Sequence, residues 1–309
     1  MGNVIATSNI DQSILVTFEQ NFERIMQQKD SKLANSPAIK YMDIKGISNM
    51  SRIDGDELVD VSGTRNPDKQ YTDMKNDNRR SVAFRFTRTY QVDSYDKAVK
   101  LVVDPTGDLF TNLGEAKNRC QDRVLASAAS ADVIVGAPDS AGTTLTAAQD
   151  GVLTIDASTT GFTYKDVISN AITMFENNYV DCNSGITLAL SANEKQDLRD
   201  DDHYMNAFYS NNNTVDKGNI SNASGFNIVS FAGTVQGGKT VANPILKEDE
   251  GKRTNLLLAP RSIAFASEVG RLDIERANKK VNSWDITIDV WFKAVRTQGA
   301  KVILVTTTI

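Results

Sequence analysis

From Arg80 to Val92 the chain alternates with a period of two, and no other feature constrains its fold as strongly. Val82, Phe84, Phe86, Tyr90 and Val92 fall on one face, and Ser81, Ala83, Thr87, Thr89 and Gln91 on the other. Alternation of that length predicts a β-strand. The stretch Gly63–Asn78 before it is polar, with Asn66-Pro67-Asp68 as a turn signal. Together the two stretches predict an extended two-stranded arm. An isolated ribbon of two strands is marginal in water, so the arm needs a partner surface, from this chain or from another.

A long helix is predicted from Pro105. Leu109, Leu113, Ala116, Cys120, Val124 and Ala131 recur at three- and four-residue spacings, which gives it one apolar face. Asp104-Pro105 suits its start, because proline tolerates the first helical position and biases its predecessor away from helix. A long arm that buries little of itself, attached to a spine helix, suits holding on to neighbours better than enclosing a substrate.

The rest of the chain reads as alternating short elements. Ile14, Phe18, Phe22 and Ile25 recur at helical spacing, so Asp11 to about Leu33 reads as an amphipathic helix. Its apolar stripe can be core of its own chain or a clasp on a neighbour, and periodicity alone leaves both open. Glu57–Val61 is strand-like, and Gly136–Thr146 reads as a linker. Thr163 with Asp166 resembles an N-terminal capping box, continued by Tyr164, Val167, Ala171, Met174 and Phe175 on one face. Strands are expected at Gly185–Leu190, Gly225–Phe231 and Asn255–Ala259, and helices at Asn193–Arg199 and Arg261–Val269. Trp284, Ile286, Ile288, Val290 and Phe292 alternate with polar residues, and a Gln298-Gly299 turn leads to Val302–Thr307, so a C-terminal hairpin is expected.

Composition narrows the function classes. The chain has 309 residues, 40% apolar and 24% charged, as in folded globular proteins. It contains no apolar run of about 18 residues, and its first residues lack the pattern of a signal peptide. Its two cysteines, Cys120 and Cys182, make no framework, and Cys120 falls on the apolar helix face. A net charge of −5 argues against coating nucleic acid by bulk attraction. The cluster Arg79, Arg80, Arg85 and Arg88 can touch phosphates or acidic partners locally, or form a solvated or inter-subunit patch.

Candidate chemistry is sparse. Gly233 to Thr240 matches the P-loop pattern, with Gly238-Lys239-Thr240 at its end. A P-loop must open a helix, however, and Pro244 sits where that helix would run. No later strand ends in an Asp suited to magnesium. His203 is the only histidine, set in Asp200-Asp201-Asp202 beside Asn-rich sequence, with no positioned partner to nameable effect. The triple Asp lacks the spacing and glycine of a calcium loop. No catalytic residue, cofactor site or metal site is assigned, and the chain is not expected to be an enzyme.

The order of elements resembles the major capsid proteins of tailed bacteriophages, with the Hong Kong 97-like α+β fold. Phe18–Leu33, with Gln27-Gln28 before Ser31-Lys32-Leu33, is similar to the opening helix of one branch. Arg79-Arg80 before an aromatic strand, then Val92-Asp93 and Asp96, is similar to that branch at the end of its extended loop. Asp104-Pro105 and a helix carrying Arg119 and Asp122 look like its spine helix. Phe226-Asn227-Ile228-Val229 after Gly225, and Lys301–Thr307, also fit. The resemblance spans nearly the whole chain.

It implies an N-terminal arm at 1–45, an extended β-hairpin loop at 46–91, a peripheral domain at 92–150 and 256–309 with the spine helix, and an axial domain at 151–255. It implies self-assembly into pentamers and hexamers that form an icosahedral virion shell around double-stranded DNA, contacted without sequence specificity. It further implies a separate scaffolding protein, a portal, room for decoration proteins, assembly in the host cytoplasm and no membrane. Phe18, Phe22, Ile25, Arg79, Arg80, Phe84, Phe86 and Arg88 are the inter-subunit contact candidates. Two alternatives are an encapsulin-type nanocompartment shell, told apart by its cargo, and a P-loop nucleotide-binding enzyme.

Overall fold

A computed structural model of the chain describes residues 28–44, 48–53, 76–93, 106–136, 141–181, 185–202, 222–223, 225–232, 235–236, 239–240, 245–249, 251–276 and 283–308. In chain order, β1 (Ile39–Tyr41), β2 (Ser48–Ile53), β3 (Asn76–Ser81) and β4 (Phe84–Asp93) precede the long helix α1 (Thr106–Ser130). Then come β5 (Val133–Val135), β6 (Thr143–Leu145) and β7 (Leu153–Asp156). A π-helical turn, Tyr164–Ser169, runs into α2 (Asn170–Asn177), followed by β8 (Thr187–Ser191) and α3 (Ala192–Asp200). The short strands β9 (Asn222–Ala223), β10 (Phe226–Phe231), β11 (Val235–Gln236), β12 (Lys239–Thr240) and β13 (Glu248–Asp249) lead to β14 (Lys252–Leu258). Two long strands, β15 (Ile263–Arg276) and β16 (Ser283–Arg296), are followed by a 3-10 turn at Gly299–Lys301 and by β17 (Val302–Thr308). The chain forms two units, one of residues 1–32, 84–122 and 267–292, the other of residues 33–83, 123–266 and 293–309.

The larger unit is built on a sheet of order β7-β17-β14-β8-β10-β9, with β13 on β14. β14 runs antiparallel to both β17 and β8, whereas β8 and β10 are parallel. Every residue of β8 is buried, as expected for a central strand covered on both faces. The π-helical turn and α2 place Val167, Ile168, Ala171 and Phe175 against Leu188, Leu190, Leu257, Ile303 and Val305. The helix starts as its sequence indicates. The Thr163 hydroxyl accepts from the Asp166 N–H at 3.2 Å and donates to the Asp166 carboxylate at 2.9 Å. A second sheet, β2-β3-β5-β6, belongs to the same unit, as does the parallel pairing of β1 with the start of β15.

In the smaller unit β4 pairs antiparallel with β16, from Phe84↔Phe292 to Asp93↔Ser283. Ile286, Ile288, Val290 and Phe292 are buried on one face. The other face is a polar ladder: Arg85 donates to Asp289 at 2.8 and 2.7 Å, Thr89 meets Thr287 at 3.0 Å and Gln91 donates to Asp285 at 3.2 Å.

Several sequence expectations are corrected here. The arm's return strand is β3, paired with β2. The alternating stretch is interrupted at Val82-Ala83, and β4 leaves the hairpin to pair with β16, where its aromatic face meets apolar residues that a polar arm lacks. Residues Gln28–Leu33 are not helical. Arg261–Val269 is not a helix: the strand β15 begins at Ile263, and Ile263 to Ala266 are all buried, so pairing with β1 overrides local propensity. Gly136–Thr146 is in part the β6 strand of a sheet. The C-terminal strands make no hairpin, because β16 pairs with β4 and β17 lies between β7 and β14. The expected strand Glu57–Val61 lies outside the described residues.

Candidate assembly surface

Three polar clusters fix elements within the two units, and one strand edge carries exposed apolar side chains.

In the smaller unit, the segment before Leu33 is tied to α1 by polar groups. The Asp122 carboxylate is buried and accepts from the Gln28 amide, the Ser31 hydroxyl and the Lys32 N–H, the last at 3.0 Å. Asn118, one turn earlier on α1, donates to the Lys29 carbonyl at 2.6 Å. The Gln-Ser-Lys motif and the helix Asp, read as separate marks in the sequence, are thus parts of one contact.

In the larger unit, Arg79 of β3 and Arg296 of β16 share Asp150. Arg79 donates to Asp150 at 2.9 Å and to the Arg296 carbonyl at 3.1 Å, while Arg296 donates to Asp150 at 2.7 Å. Arg296 also donates to the carbonyls of Ala129 and Ala131, at 2.8 and 3.0 Å, where the end of α1 leaves acceptors open. Burial pushes the Asp150 carboxyl up, but the hydrogen bonds and charges of Arg79 and Arg296 outweigh it and hold the group below its ordinary value. A buried charge persists only with partners of this kind.

A further cluster joins Arg253 on β14 with Glu194 on α3. Arg253 donates to Glu194 at 2.9 Å, to Ser191 at 2.8 Å and to Glu248 at 2.6 Å, and Thr307 donates to Glu194 at 2.8 Å. Burial pushes Glu194 up, yet bonds from Ser191, its own backbone and Thr307, with the charge of Arg253, bring it below its ordinary value.

The contact candidates fall into three groups. Phe18, Phe22 and Ile25 lie outside the described residues. Arg79 is fully buried in the Asp150 cluster and Arg80 is half-buried, so Arg79 serves the interior of its own unit. Phe84, Phe86 and Arg88 stand on β4, the outermost strand of its sheet. Phe84 is 64% exposed and Phe86 36% exposed, although their β16 neighbours Phe292 and Val290 are buried. The Phe86 ring lies 5.7 Å from that of Phe292, and the Arg88 guanidinium lies 5.6 Å from the Tyr90 ring centre. Among the described residues β4 therefore extends the apolar row of β16 to an edge with no further strand, as at sheet edges that accept another chain. Sequence reading missed Asp150 and Arg296, whose pairing across 146 residues leaves no local signal.

The described part of the P-loop match is a pair of short antiparallel strands. β11 and β12 pair Val235 with Thr240 and Gln236 with Lys239, so Lys239 and Thr240 lie in a strand and not at the start of a phosphate-holding helix. His203 lies outside the described residues. Asp197, Asp200, Asp201 and Asp202 line an open cleft of about 610 Å³ with Thr160, Gly161, Phe162 and Thr163. Asp201 caps the helical turn by accepting from the Tyr164 N–H at 2.8 Å. Asp197 is pushed above its ordinary value by burial, then by Glu194 and Asp200. Among the described residues no three His, Cys, Asp or Glu side chains are grouped to hold a metal, and no helix is long and apolar enough to cross a membrane.

The sequence profile of the phage capsid protein family matches residues 10–309. The chain belongs to that family. It is a structural protein of the phage virion, and its mixed α+β architecture is that of phage capsid structures. A chain of Mycobacterium phage Che8 has a TM-score of 0.66 at 13% identity, over 93% of this chain and 94% of that one. The cyanophage Pam1 capsid gives 0.66 at 12% identity, over 94% and 95%. The capsid of cyanophage P-SCSP1u gives 0.64 at 11% identity, over 94% and 93%. A comparison with curated proteins found no match.

Proposed function

We propose that this capsid protein is the repeating subunit of an icosahedral head with the Hong Kong 97-like layout, assembled from pentamers and hexamers around double-stranded DNA. The observation that carries the reading is the open β4 edge, where Phe84 and Phe86 stay exposed beside a buried apolar row. Residues 1–45 act as an N-terminal arm and 46–91 as an extended loop. Residues 92–150 and 256–309 form a peripheral domain with α1 as its spine, and 151–255 form an axial domain. Phe18, Phe22, Ile25, Arg80, Phe84, Phe86 and Arg88 contact neighbouring subunits. Many modest contacts per subunit sum to a stable shell, because each bond after the first is effectively intramolecular.

The role is mechanical and needs no catalysis or cofactor. Assembly takes place in the host cytoplasm with a scaffolding protein and a portal, and decoration proteins can add to the finished shell. The cargo decides between this reading and a nanocompartment shell. Particles purified from phage-producing cells are treated with nuclease, opened, and assayed for nucleic acid and protein. Protected double-stranded DNA is the expected result. Particles holding an enzyme and no protected DNA would overturn it.

A further inference from the structure

The turn Pro260-Arg261 ties together three stretches of the larger unit. The Ala259 N–H donates to the Lys301 carbonyl at 2.9 Å, the Arg261 N–H to the Pro37 carbonyl at 3.0 Å and the Ile263 N–H to the Ala38 carbonyl at 3.1 Å. The Thr297 hydroxyl closes the junction by donating to the Arg261 carbonyl at 2.8 Å. Lys40 follows in β1, in register with Ala264. This framework fixes where three cationic side chains leave the backbone. Lys40 and Arg261 are exposed and Lys301 is half-buried. Arg261 has a left-handed φ of 55°. For a residue with a Cβ that costs about 1–3 kcal/mol and persists only where the surroundings impose it.

The backbone bonds set Lys40, Arg261 and Lys301 at neighbouring positions of this junction. Lys301 is pushed below the ordinary lysine value, first by burial and then by Arg261 and Lys40. Among the described residues no carboxylate forms an ion pair with any of the three. In a chain of net charge −5, a local group of cations can still attract an external anion.

We propose that Lys40, Arg261 and Lys301 form a binding site for a phosphate group of the nucleic acid that the shell encloses. The Arg261 fork can hold two phosphate oxygens, and the two ammonium groups add charge without demanding a fixed angle. The contact reads backbone and not bases, so it is independent of sequence and sensitive to salt. The choice of an enclosed nucleic acid as the source of the phosphate rests on the shell reading above.

The test uses the full chain and a fluorescein-labelled DNA duplex oligonucleotide of mixed sequence, with binding followed by fluorescence anisotropy across a salt series. The triple variant Lys40→Gln, Arg261→Gln, Lys301→Gln is compared with Lys165→Gln, an exposed lysine elsewhere on the unit. At about 0.9 per phosphate contact on duplex DNA, the triple variant should flatten the slope of log K against log salt by about 0.9, the loss of one phosphate contact. It should also weaken binding at low salt by at least about tenfold, while Lys165→Gln changes neither. Each single variant should remove part of the slope, and Lys301→Arg should keep it, which separates lost charge from lost folding. An unchanged slope in the triple variant overturns the proposal. So does unchanged oligonucleotide binding with lost assembly, which would assign the cluster to carboxylates of a second copy. Assembly is scored separately by microscopy, so wild-type protein that bound oligonucleotide and formed no shells would count against the shell reading alone.

Discussion

The Lys32 N–H donates to the Asp122 carboxylate at 3.0 Å, closing 90 residues of chain at a buried charge. Gln28 and Ser31 complete the shell of donors around the same carboxylate. The bond holds the segment from Gln28 to Lys32 against α1. Hydrogen bonds to a charged acceptor are each worth about 1.5–3 kcal/mol net. Asp122→Ala is expected to destabilise the protein by about 2–3 kcal/mol and to expose the chain near Lys29 to trypsin. Thermal unfolding and limited proteolysis check both.

Asp150→Asn should be more damaging. It removes the charge that Asp150 offers the buried guanidinium groups of Arg79 and Arg296, a change that costs about 3–5 kcal/mol where a buried pair is broken. The same cluster sets an acid limit. The Asp150 pKa is lowered in the folded protein, so its contribution is fully present above the ordinary carboxylate value of about 4. It is lost as pH falls through the lower folded value. Glu194 behaves in the same direction. Denaturant unfolding of the wild type between neutral and acid pH should show stability falling mainly below pH about 4, and Asp150→Asn should flatten that fall.

Gly299 and Gly151 offer a contrast between collision and strain. A Cβ at Gly299 would collide with the Asp150 carbonyl oxygen, whereas one at Gly151 meets nothing but demands a left-handed φ of 78°. Gly151→Ala should cost about 1–2 kcal/mol from backbone conformation. Gly299→Ala must push β17's approach away from the Asp150 turn, so a larger loss is expected, about 2–3 kcal/mol as in overpacked interiors. Chemical denaturation of the two variants side by side decides the order.

Phe84→Ser should separate assembly from folding. Phe84 is mostly exposed and stands on an open edge, so unfolding of the dissociated protein should shift by no more than about 0.5 kcal/mol. Shell yield should fall severalfold, because an aromatic at an interface anchors more than its share of the contact. Phe86→Ser also loses the ring contact with Phe292, so it should lower both. Sedimentation velocity reads assembly, and thermal unfolding reads stability.

The strongly periodic elements were legible before any coordinates. α1 begins next to Pro105, β16 buries the apolar face of its predicted alternation while β4 pairs with it and stays largely exposed, and Thr163 caps a helix turn as its spacing with Asp166 indicates. What failed was pairing. Ile263 to Ala266 are buried on both faces, so no alternation marks them as strand, and only β1 and β16 beside them decide the matter. The Gln298-Gly299 turn is present, but its 3-10 geometry sends β17 into the larger sheet and away from β16. Among the proposed contact residues, Phe84 and Phe86 are exposed, yet Arg79 in the neighbouring basic run is wholly internal. Its partner Asp150 is 71 residues away, beyond any local rule.

The central claim is that this chain builds a closed shell. The most direct test is electron microscopy of the full-length protein after size-exclusion chromatography, expressed alone and with the genes beside it. Closed icosahedral particles, or ring-shaped pentamers and hexamers, are the predicted result. Protein that stays monomeric or dimeric under both conditions would contradict the account.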